Sequence, residues 1–319
     1  MYLFGGLLIL LLAIVLVAAA MLGAERVPVS ALFSETAATL QQRSILFDIR
    51  LPRILLGACV GASLAVAGAG LQSLLRNPLA EPYLLGVSNG AALGTMLAFV
   101  LFQNVEAARP VLAFAGAGVA TFAVYRMAKS RAGMNVERLV LSGVIVTTFL
   151  SSVIVMLTTL LDAARLRSFT FWLLGDLSQA TVNGVYLAAA AVLLATVVLT
   201  SQARALNLMM IGERDALDFG VEVGRVRMLV FGAASLVVGA AVAASGSVGY
   251  VGLIVPHLVR LSVGSDNRLV VPFSAVAGAI FVVFADTIAR TAIAPRELPV
   301  GAVTALIGAP LFIYLLRRN

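Results

Sequence analysis

Nine uninterrupted runs without a charged residue, each 16 to 32 residues long, dominate the sequence. A helix needs about 20 apolar residues to cross the hydrocarbon core of a bilayer. Because most runs are near that length and the connections between them are short, the pattern predicts a helical protein with many membrane spans. The runs are 1–24, 54–75, 82–105, 110–125, 139–161, 177–203, 228–259, 269–285 and 298–316.

The composition excludes the main alternatives to a membrane protein. Hydrophobic residues make up 61% of the 319 residues, charged residues only 12%, and the mean hydropathy is +1.05. A soluble domain has about 25% charged residues, so a soluble enzyme, a disordered chain and a coiled coil are excluded. The net charge of +7 does not indicate a nucleic-acid binder, because the basic residues are scattered between apolar runs rather than clustered.

The run at 228–259 is too long for one ordinary span. It contains a glycine-rich stretch around Gly246 and then Pro256. Glycine is permissive and proline breaks helix hydrogen bonding, so we split the run near Gly246. This predicts ten spans, numbered 1 to 10 in chain order, in a single transmembrane domain over 1–319. One long tilted helix, which leaves nine spans, is the alternative.

The first run and the basic residues predict the orientation. Run 1 lacks a basic segment before it and is longer than a typical signal-peptide core, so we interpret it as span 1 rather than a cleaved signal peptide. Ten spans place both termini on one side, and the chain ends Arg317-Arg318-Asn319. Basic ends favour the cytoplasm. With both termini cytoplasmic in a plasma or inner membrane, 13 basic residues fall inside and 9 outside.

A weak internal repeat suggests a transporter plan. Residues 61–86 align with 239–264 at an offset of 178, with 7 identities in 26 positions. Ala, Gly and Leu are so common here that several identities arise by chance. A true repeat makes spans 2–5 correspond to spans 7–10 in inverted orientation. Glycines at four-residue spacing, Gly57/Gly61 and Gly86/Gly90/Gly94, predict close helix packing.

Several kinds of active site are missing from the sequence. The one lysine, Lys129, is not preceded by glycine, so the chain has no phosphate-binding P-loop. One histidine, His257, and one cysteine, Cys59, cannot form a typical structural zinc site. We interpret both as packing residues and predict no catalytic residue, metal or cofactor. Asp286 and Arg290, four apart at the end of span 9, predict an ion pair at the interface, and proton-driven transport is disfavoured.

Four motifs stand out from the apolar background: RLPR at 50–53, QSLLRNPLAEP at 72–82, GSVGYVGLIVPHLVR at 246–260 and ELPVGAVTALIGAP at 297–310. In order and spacing they resemble the permease subunits of ATP-binding-cassette (ABC) importers for ferric siderophores, haem and vitamin B12, the FecCD/BtuC-like family. The resemblance runs from about Arg50 to the C terminus. It implies an all-α, ten-helix type II importer fold and a non-catalytic subunit.

The resemblance also implies partners. Two ATPase subunits would bind below, in agreement with the missing P-loop. A periplasmic or lipoprotein substrate-binding protein would dock above. A second copy of the permease, as a homodimer, or a close paralogue would complete the translocation pathway at the dimer interface, within membrane lipid.

The connection at 204–227 resembles the family's coupling segment, two short helices that rest in a groove of the ATPase. The resemblance assigns Gly212, Glu213, Ala216, Leu217 and Gly220 to this contact. The apolar residues Ala216 and Leu217 can supply contact area, and acidic residues such as Glu213 keep the rest of the segment solvated. An ordinary amphipathic loop is the alternative.

Arg50, Arg53 and Arg290 occupy motif positions at which the family's arginines face acidic residues on the two lobes of the binding protein. The resemblance therefore implies docking through these three side chains. The alternative is that they anchor helix ends at lipid headgroups.

Two further functional classes remain alternatives. A secondary, ion-coupled transporter would need no ATPase. A membrane-embedded enzyme would need clustered His, Cys, Asp or Glu within the spans, and the sequence has no such cluster. The sequence leaves open which chelate or corrinoid passes.

Overall fold

Each of the ten predicted spans is a helix in the computed structural model, which describes residues 2–23, 37–102, 105–130 and 133–318. Within these residues, seven helices are long and apolar enough to cross a membrane, and three shorter apolar helices stand at spans 3, 8 and 10. Arg131 and Asn319, both part of the predicted cytoplasmic side, lie outside the described residues. The spans are α1 (Tyr2–Met21), α3 (Leu51–Leu74), α4 (Val87–Leu101), α5 (Ala108–Ala128), α6 (Val136–Thr158), α8 (Val182–Ser201), α11 (Val223–Ser245), α12 (Val251–Val263), α13 (Asn267–Thr291) and α14 (Val300–Arg318).

Short elements connect these spans. A π-helical stretch leads directly from the first connecting helix into α3, and a 3₁₀ turn precedes α4. After α5, two short strands pair antiparallel and form a hairpin. The elements are α2 (Ala37–Ser44), the π-helix (Ile45–Arg50), the 3₁₀ turn (Pro82–Leu85), β1 (Lys129–Ser130), β2 (Gly133–Met134), α7 (Ala163–Leu173), α9 (Ala203–Ile211) and α10 (Glu213–Asp218).

The central helix of the bundle is α3. It packs against α8, α11, α12 and α13, and 20 of its 24 residues are buried. Small residues allow this, because a Cβ on Gly61 would overlap the carbonyl oxygen of Gly278, and a Cβ on Gly68 that of Gly252. Close backbone approach of this kind is a usual basis of helix association in lipid.

The long run at 228–259 is broken, as predicted. α11 ends at Ser245, and Gly246 follows with φ +67°, a left-handed conformation that favours glycine. A Cβ on Gly246 would also overlap the carbonyl oxygen of Trp172. Because α12 starts only at Val251, the nine-span alternative is wrong. Pro256 lies inside α12 and does not cause the break.

The two halves of the bundle share one feature. Spans 3 and 8, which correspond in the predicted repeat, are the short helices α4 and α12, of 15 and 13 residues. The residue pairing at an offset of 178 is not between equivalent positions, because Gly68 lies within α3 whereas Gly246 follows the end of α11. The inverted repeat itself stays a prediction.

Candidate functional site

A buried ionic cluster joins three spans at one end of the bundle. Arg53 donates to Oδ1 of Asp286 from Nε at 3.0 Å and from Nη2 at 2.9 Å. Its Nη1 donates to Oε2 of Glu297 at 2.8 Å. Arg290 Nε lies 3.0 Å from Oδ2 of Asp286, so the predicted Asp286–Arg290 ion pair is confirmed. We call Arg50, Arg53, Asp286, Arg290 and Glu297 the arginine cluster.

The three arginines do not face outward in this chain, contrary to the docking expectation. Arg50, Arg53 and Arg290 are only 5%, 8% and 5% exposed. Arg50 donates to the carbonyl of Ala20 at 3.0 Å, and Arg290 to that of Ala19 at 3.2 Å. Carbonyls in the last turn of a helix lack intrahelical partners and carry partial negative charge. The arginines therefore hold the end of α1 against α3 and α13.

The accessible part of the arginine cluster is its Glu297 edge. The Glu297 side chain is 46% exposed, whereas Asp286 is 2% exposed. The neighbouring Arg296 is exposed. Arg53 and Arg290 face the carboxylates of Asp286 and Glu297, and Arg296 adds an exposed positive charge at the surface.

The predicted coupling segment consists of two short helices, α9 and α10. Three apolar side chains on it are exposed: Ile211 by 75%, Leu217 by 54% and Phe219 by 75%. Ala216 is fully buried and packs within the chain's own core. Its side chain therefore does not lie on the exposed surface of this segment, and its role in coupling stays a prediction. Phe219 stands out in the sequence as an apolar residue near acidic Asp215 and Asp218, whereas Ile211 ends the apolar stretch 208–211 and gives no such signal.

The other predicted coupling residues shape and anchor this segment. Gly212 precedes α10 and accepts the Ala216 amide, and Gly220 has φ +77°, which turns the chain toward α11. Glu213 accepts a hydrogen bond from Arg227 at 2.7 Å and lies 3.8 Å from Arg76. Glu213 thus ties α10 to α11 and to the segment after α3.

A polar network fixes α9 to the body. Asn207 donates to Oδ1 of Asp266 at 2.7 Å and accepts from Asn267 at 2.8 Å. Ser73 in turn donates to Asn267 at 2.7 Å, and Arg260 to Ser73 at 2.8 Å. Hydrogen bonds from Arg268, and then from Asn207, hold the pKa of the Asp266 carboxyl well below its usual range. The sequence analysis did not predict this network, although Ser73 lies in the motif at 72–82 and Arg260 in the motif at 246–260.

A second set of contacts joins the start of α4 to the connection between α11 and α12. The Tyr83 hydroxyl donates to the Val248 carbonyl at 3.0 Å and accepts from the Val248 amide at 2.8 Å. Glu81 accepts from the Tyr250 amide at 3.0 Å. The motifs at 72–82 and 246–260 are therefore in direct contact.

One face of α6 carries exposed hydroxyl groups within a span. Thr148, Ser151 and Ser152 are exposed, and Asn89 of α4 donates to the Ser151 hydroxyl at 2.6 Å. Polar side chains in a span are costly against hydrocarbon and usually face a cavity or another helix. This hydroxyl face is thus suited to a pathway wall or to a subunit contact.

The ionic contacts of the bundle are separated and do not gather at one place. Among the described residues, no three His, Cys, Asp or Glu side chains lie close enough to share a metal ion. His257 packs edge-on against Phe312, with ring centroids 6.4 Å apart. The polar groups instead lie at opposite ends of α3, about 36 Å of helix apart, with the arginine cluster at one end and Glu213 near the other.

Comparison with known proteins gives consistent matches. The sequence matches the FecCD transport family over residues 10–318. It is 46% identical over 273 residues to the cobalamin import system permease protein BtuC of Halobacterium salinarum, covering 86% of this chain and 73% of that protein. It is 37% identical over 319 residues to the hemin transport system permease protein HmuU of Yersinia pestis, covering 98% and 95%.

The fold also matches a solved structure. An inward-facing metal-chelate type ABC transporter superposes with a TM-score of 0.87 at 34% sequence identity, covering 100% of this chain and 99% of that one.

Proposed function

Because the chain belongs to the FecCD transport family, we propose that it is the multi-pass permease subunit of an ABC importer for a ferric siderophore, haem or cobalamin. The observation that carries the proposal is the family match over nearly the whole chain. The names of its cobalamin and hemin relatives support this substrate range. We place the protein in the plasma or inner membrane with both termini cytoplasmic, on the distribution of its basic residues.

Energy would come from two separate ATPase subunits, since the sequence has no P-loop. The surface that fits them is the α9–α10 segment, where Leu217 and Phe219 present apolar side chains beside charged neighbours. Interfaces are commonly built as an apolar centre with a polar rim. Glu213 would transmit movement of this segment to α11 through its bond to Arg227.

The substrate would pass between two copies of the permease. The hydroxyl face of α6 supports this, because Thr148 and Ser152 donate to carbonyls of their own helix and their oxygens can still accept hydrogen bonds from water or a substrate along a hydrated pathway. A homodimer would present two such faces to each other. Hydroxyl groups can bind the polar periphery of a large chelate without holding it too tightly for release.

A substrate-binding protein would dock at the end that carries the arginine cluster. The exposed charge of Arg296 at this end would attract an acidic partner and orient it. Arg53 is buried, but its bond to Glu297 lies at the accessible edge, so a partner's carboxylate could replace Glu297 there. Arg50 and Arg290 would contribute by positioning Arg53 and by their charge.

Reconstitution tests the proposal. The permease, its ATPase and its binding protein are placed in proteoliposomes with ionophores that collapse ion gradients. We expect uptake of a ferric siderophore, haem or cobalamin that requires internal ATP and the binding protein. Uptake that needs an ion gradient and proceeds without ATP would instead identify a secondary transporter. The ligand that the binding protein retains identifies the substrate.

A further inference from the structure

A narrow apolar groove runs between α5 and α11. Its cavity volume is about 370 Å³, and its walls combine aromatic rims with a floor of small residues. The rims include Phe114 and Phe122, which are 44% and 63% exposed. Gly118 and Gly232 leave space at the floor, because a Cβ on either would meet no described atom within 4 Å. The groove belongs to none of the sites assigned above.

The dimensions of the groove decide what kind of molecule fits it. It extends from Phe114 to Tyr125 along α5, a rise of eleven helical steps or about 17 Å at 1.5 Å per residue. This is close to half of the roughly 30 Å hydrocarbon core, the depth of one leaflet. The groove therefore matches one extended hydrocarbon tail in length.

The charges at one end of the groove indicate the headgroup. Lys129 continues the α5 stripe that includes Gly118, Phe122 and Tyr125, and its Nζ lies 5.9 Å from the centre of the Tyr125 ring. Arg225 continues the α11 stripe three residues before Met228 and is 70% exposed. Glu222 lies 3.8 Å from Arg225 and offsets part of its charge. Exposed Arg126 adds a further cation near this end.

We propose that this groove binds one acyl chain of an anionic phospholipid, with the phosphate headgroup at Lys129 and Arg225. The hydrocarbon tail would cover the floor at Gly118, Gly232 and Ser235. Basic residues near a bilayer surface attract anionic headgroups. Here Lys129 follows α5 and Arg225 lies on α11, so each of the two helices that form the groove carries one basic residue at the same end. Lipid held there would bridge α5 and α11.

Lipid retention tests the proposal independently of transport. The full-length permease is purified with its ATPase from membranes, exchanged into nanodiscs of phosphatidylcholine with phosphatidylglycerol, and analysed by native mass spectrometry. We expect one phosphatidylglycerol retained per permease copy. In Gly118→Leu/Gly232→Leu, the added side chains should occupy the groove, since a Cβ at either position meets no described atom within 4 Å, and retention should fall about tenfold or more. Gly6→Leu on α1, where a Cβ also meets no described atom within 4 Å, is the matched control and should behave as wild type.

Two further variants separate tail from headgroup recognition. Lys129→Gln/Arg225→Gln should reduce the preference for phosphatidylglycerol over phosphatidylcholine by about thirtyfold, since two basic residues at roughly 1 kcal/mol each total about 2 kcal/mol. Ser235→Ala should leave retention unchanged, because a hydrocarbon tail offers no acceptor to the buried Ser235 hydroxyl, which has no partner among the described residues. Unchanged retention in the double leucine variant, loss in Ser235→Ala, or a bound polypeptide in place of lipid would overturn the proposal.

Discussion

Asp286 and Arg53 are 233 positions apart in the sequence, yet Asp286 Oδ1 accepts two hydrogen bonds from the Arg53 guanidinium at 3.0 and 2.9 Å. This contact joins α13 to the first turn of α3. Because Asp286 Oδ2 also lies 3.0 Å from Arg290 Nε, one buried carboxylate serves two buried cations. The end of α1 depends on the same arrangement, since Arg50 and Arg290 hold its last carbonyls.

Replacing Asp286 should destabilise the protein. Asp286→Asn leaves Arg53 and Arg290 without their shared counter-charge, and loss of one partner of a buried ion pair costs about 3–5 kcal/mol. We expect a clearly lower midpoint of thermal unfolding in detergent. Glu106→Gln removes a carboxylate from an exposed position and should leave the midpoint unchanged. Equal midpoints for the two variants would show that the arginine cluster does not support the fold.

Two substitutions in α10 should separate coupling from folding. Leu217→Asp changes a side chain that is 54% exposed, so the permease should fold normally but bind its ATPase at least tenfold more weakly, as when a central apolar contact is lost. Ala216→Asp places a charge at a fully buried position and should lower the unfolding midpoint. Co-purification and thermal unfolding measure the two effects. Asp218→Asn, an exposed neighbour, is the control. Full ATPase binding by Leu217→Asp would exclude this surface from coupling.

Docking of the binding protein should respond to Arg296 without a change in stability. Arg296→Glu reverses an exposed charge at the arginine-cluster end, and exposed pairs contribute about 0–1 kcal/mol each. We expect a Kd raised about two- to fivefold at low salt, a shallower salt dependence and an unchanged unfolding midpoint. Arg53→Glu should weaken docking and also destabilise the permease. Arg225→Glu reverses an exposed charge outside the cluster. If Arg225→Glu weakens docking as much as Arg296→Glu does, the binding protein does not dock at the arginine-cluster end.

The hydroxyl face of α6 should be accessible to water in the assembled importer. After the native Cys59 is replaced by Ala, Ser152→Cys should react with a membrane-impermeant thiol reagent, and bound substrate should slow the reaction. Leu187→Cys, 73% exposed on α8 at a comparable distance from the helix end, should stay unlabelled because it faces lipid. Equal labelling of the two cysteines would remove the α6 face from the pathway.

Much of the fold was predictable because its signals are local. Backbone groups in hydrocarbon must bond within their own helix, so each charge-free run indicates one span, and glycine near 246 marks the break between α11 and α12. The close glycine contacts at Gly61 and Gly90 also followed from residue spacing. The short helix α7 was not predicted, since the connection that contains it mixes charged and apolar residues.

The sites were predicted less completely. Leu217 and Ala216 were both predicted to contact a partner, but Leu217 is exposed whereas Ala216, one position earlier, is buried. The helical turn of α10 decides which of these neighbours faces outward, and a six-residue helix is too short to show that periodicity in the sequence. The network of Asn207, Asn267 and Ser73 depends on three helices distant in sequence, so no local pattern announced it.

The sequence by itself determined the ten apolar helices, their approximate limits and the location of the basic residues. These follow from the solvent each segment requires, which its own composition expresses. Only the tertiary structure decided that Arg50, Arg53 and Arg290 turn inward and that α5 and α11 leave a groove between them. The physical reason is that a buried charged side chain points toward its counter-charge, and the width of a groove depends on the distance between two helices. Both depend on parts of the chain that meet only in the folded bundle.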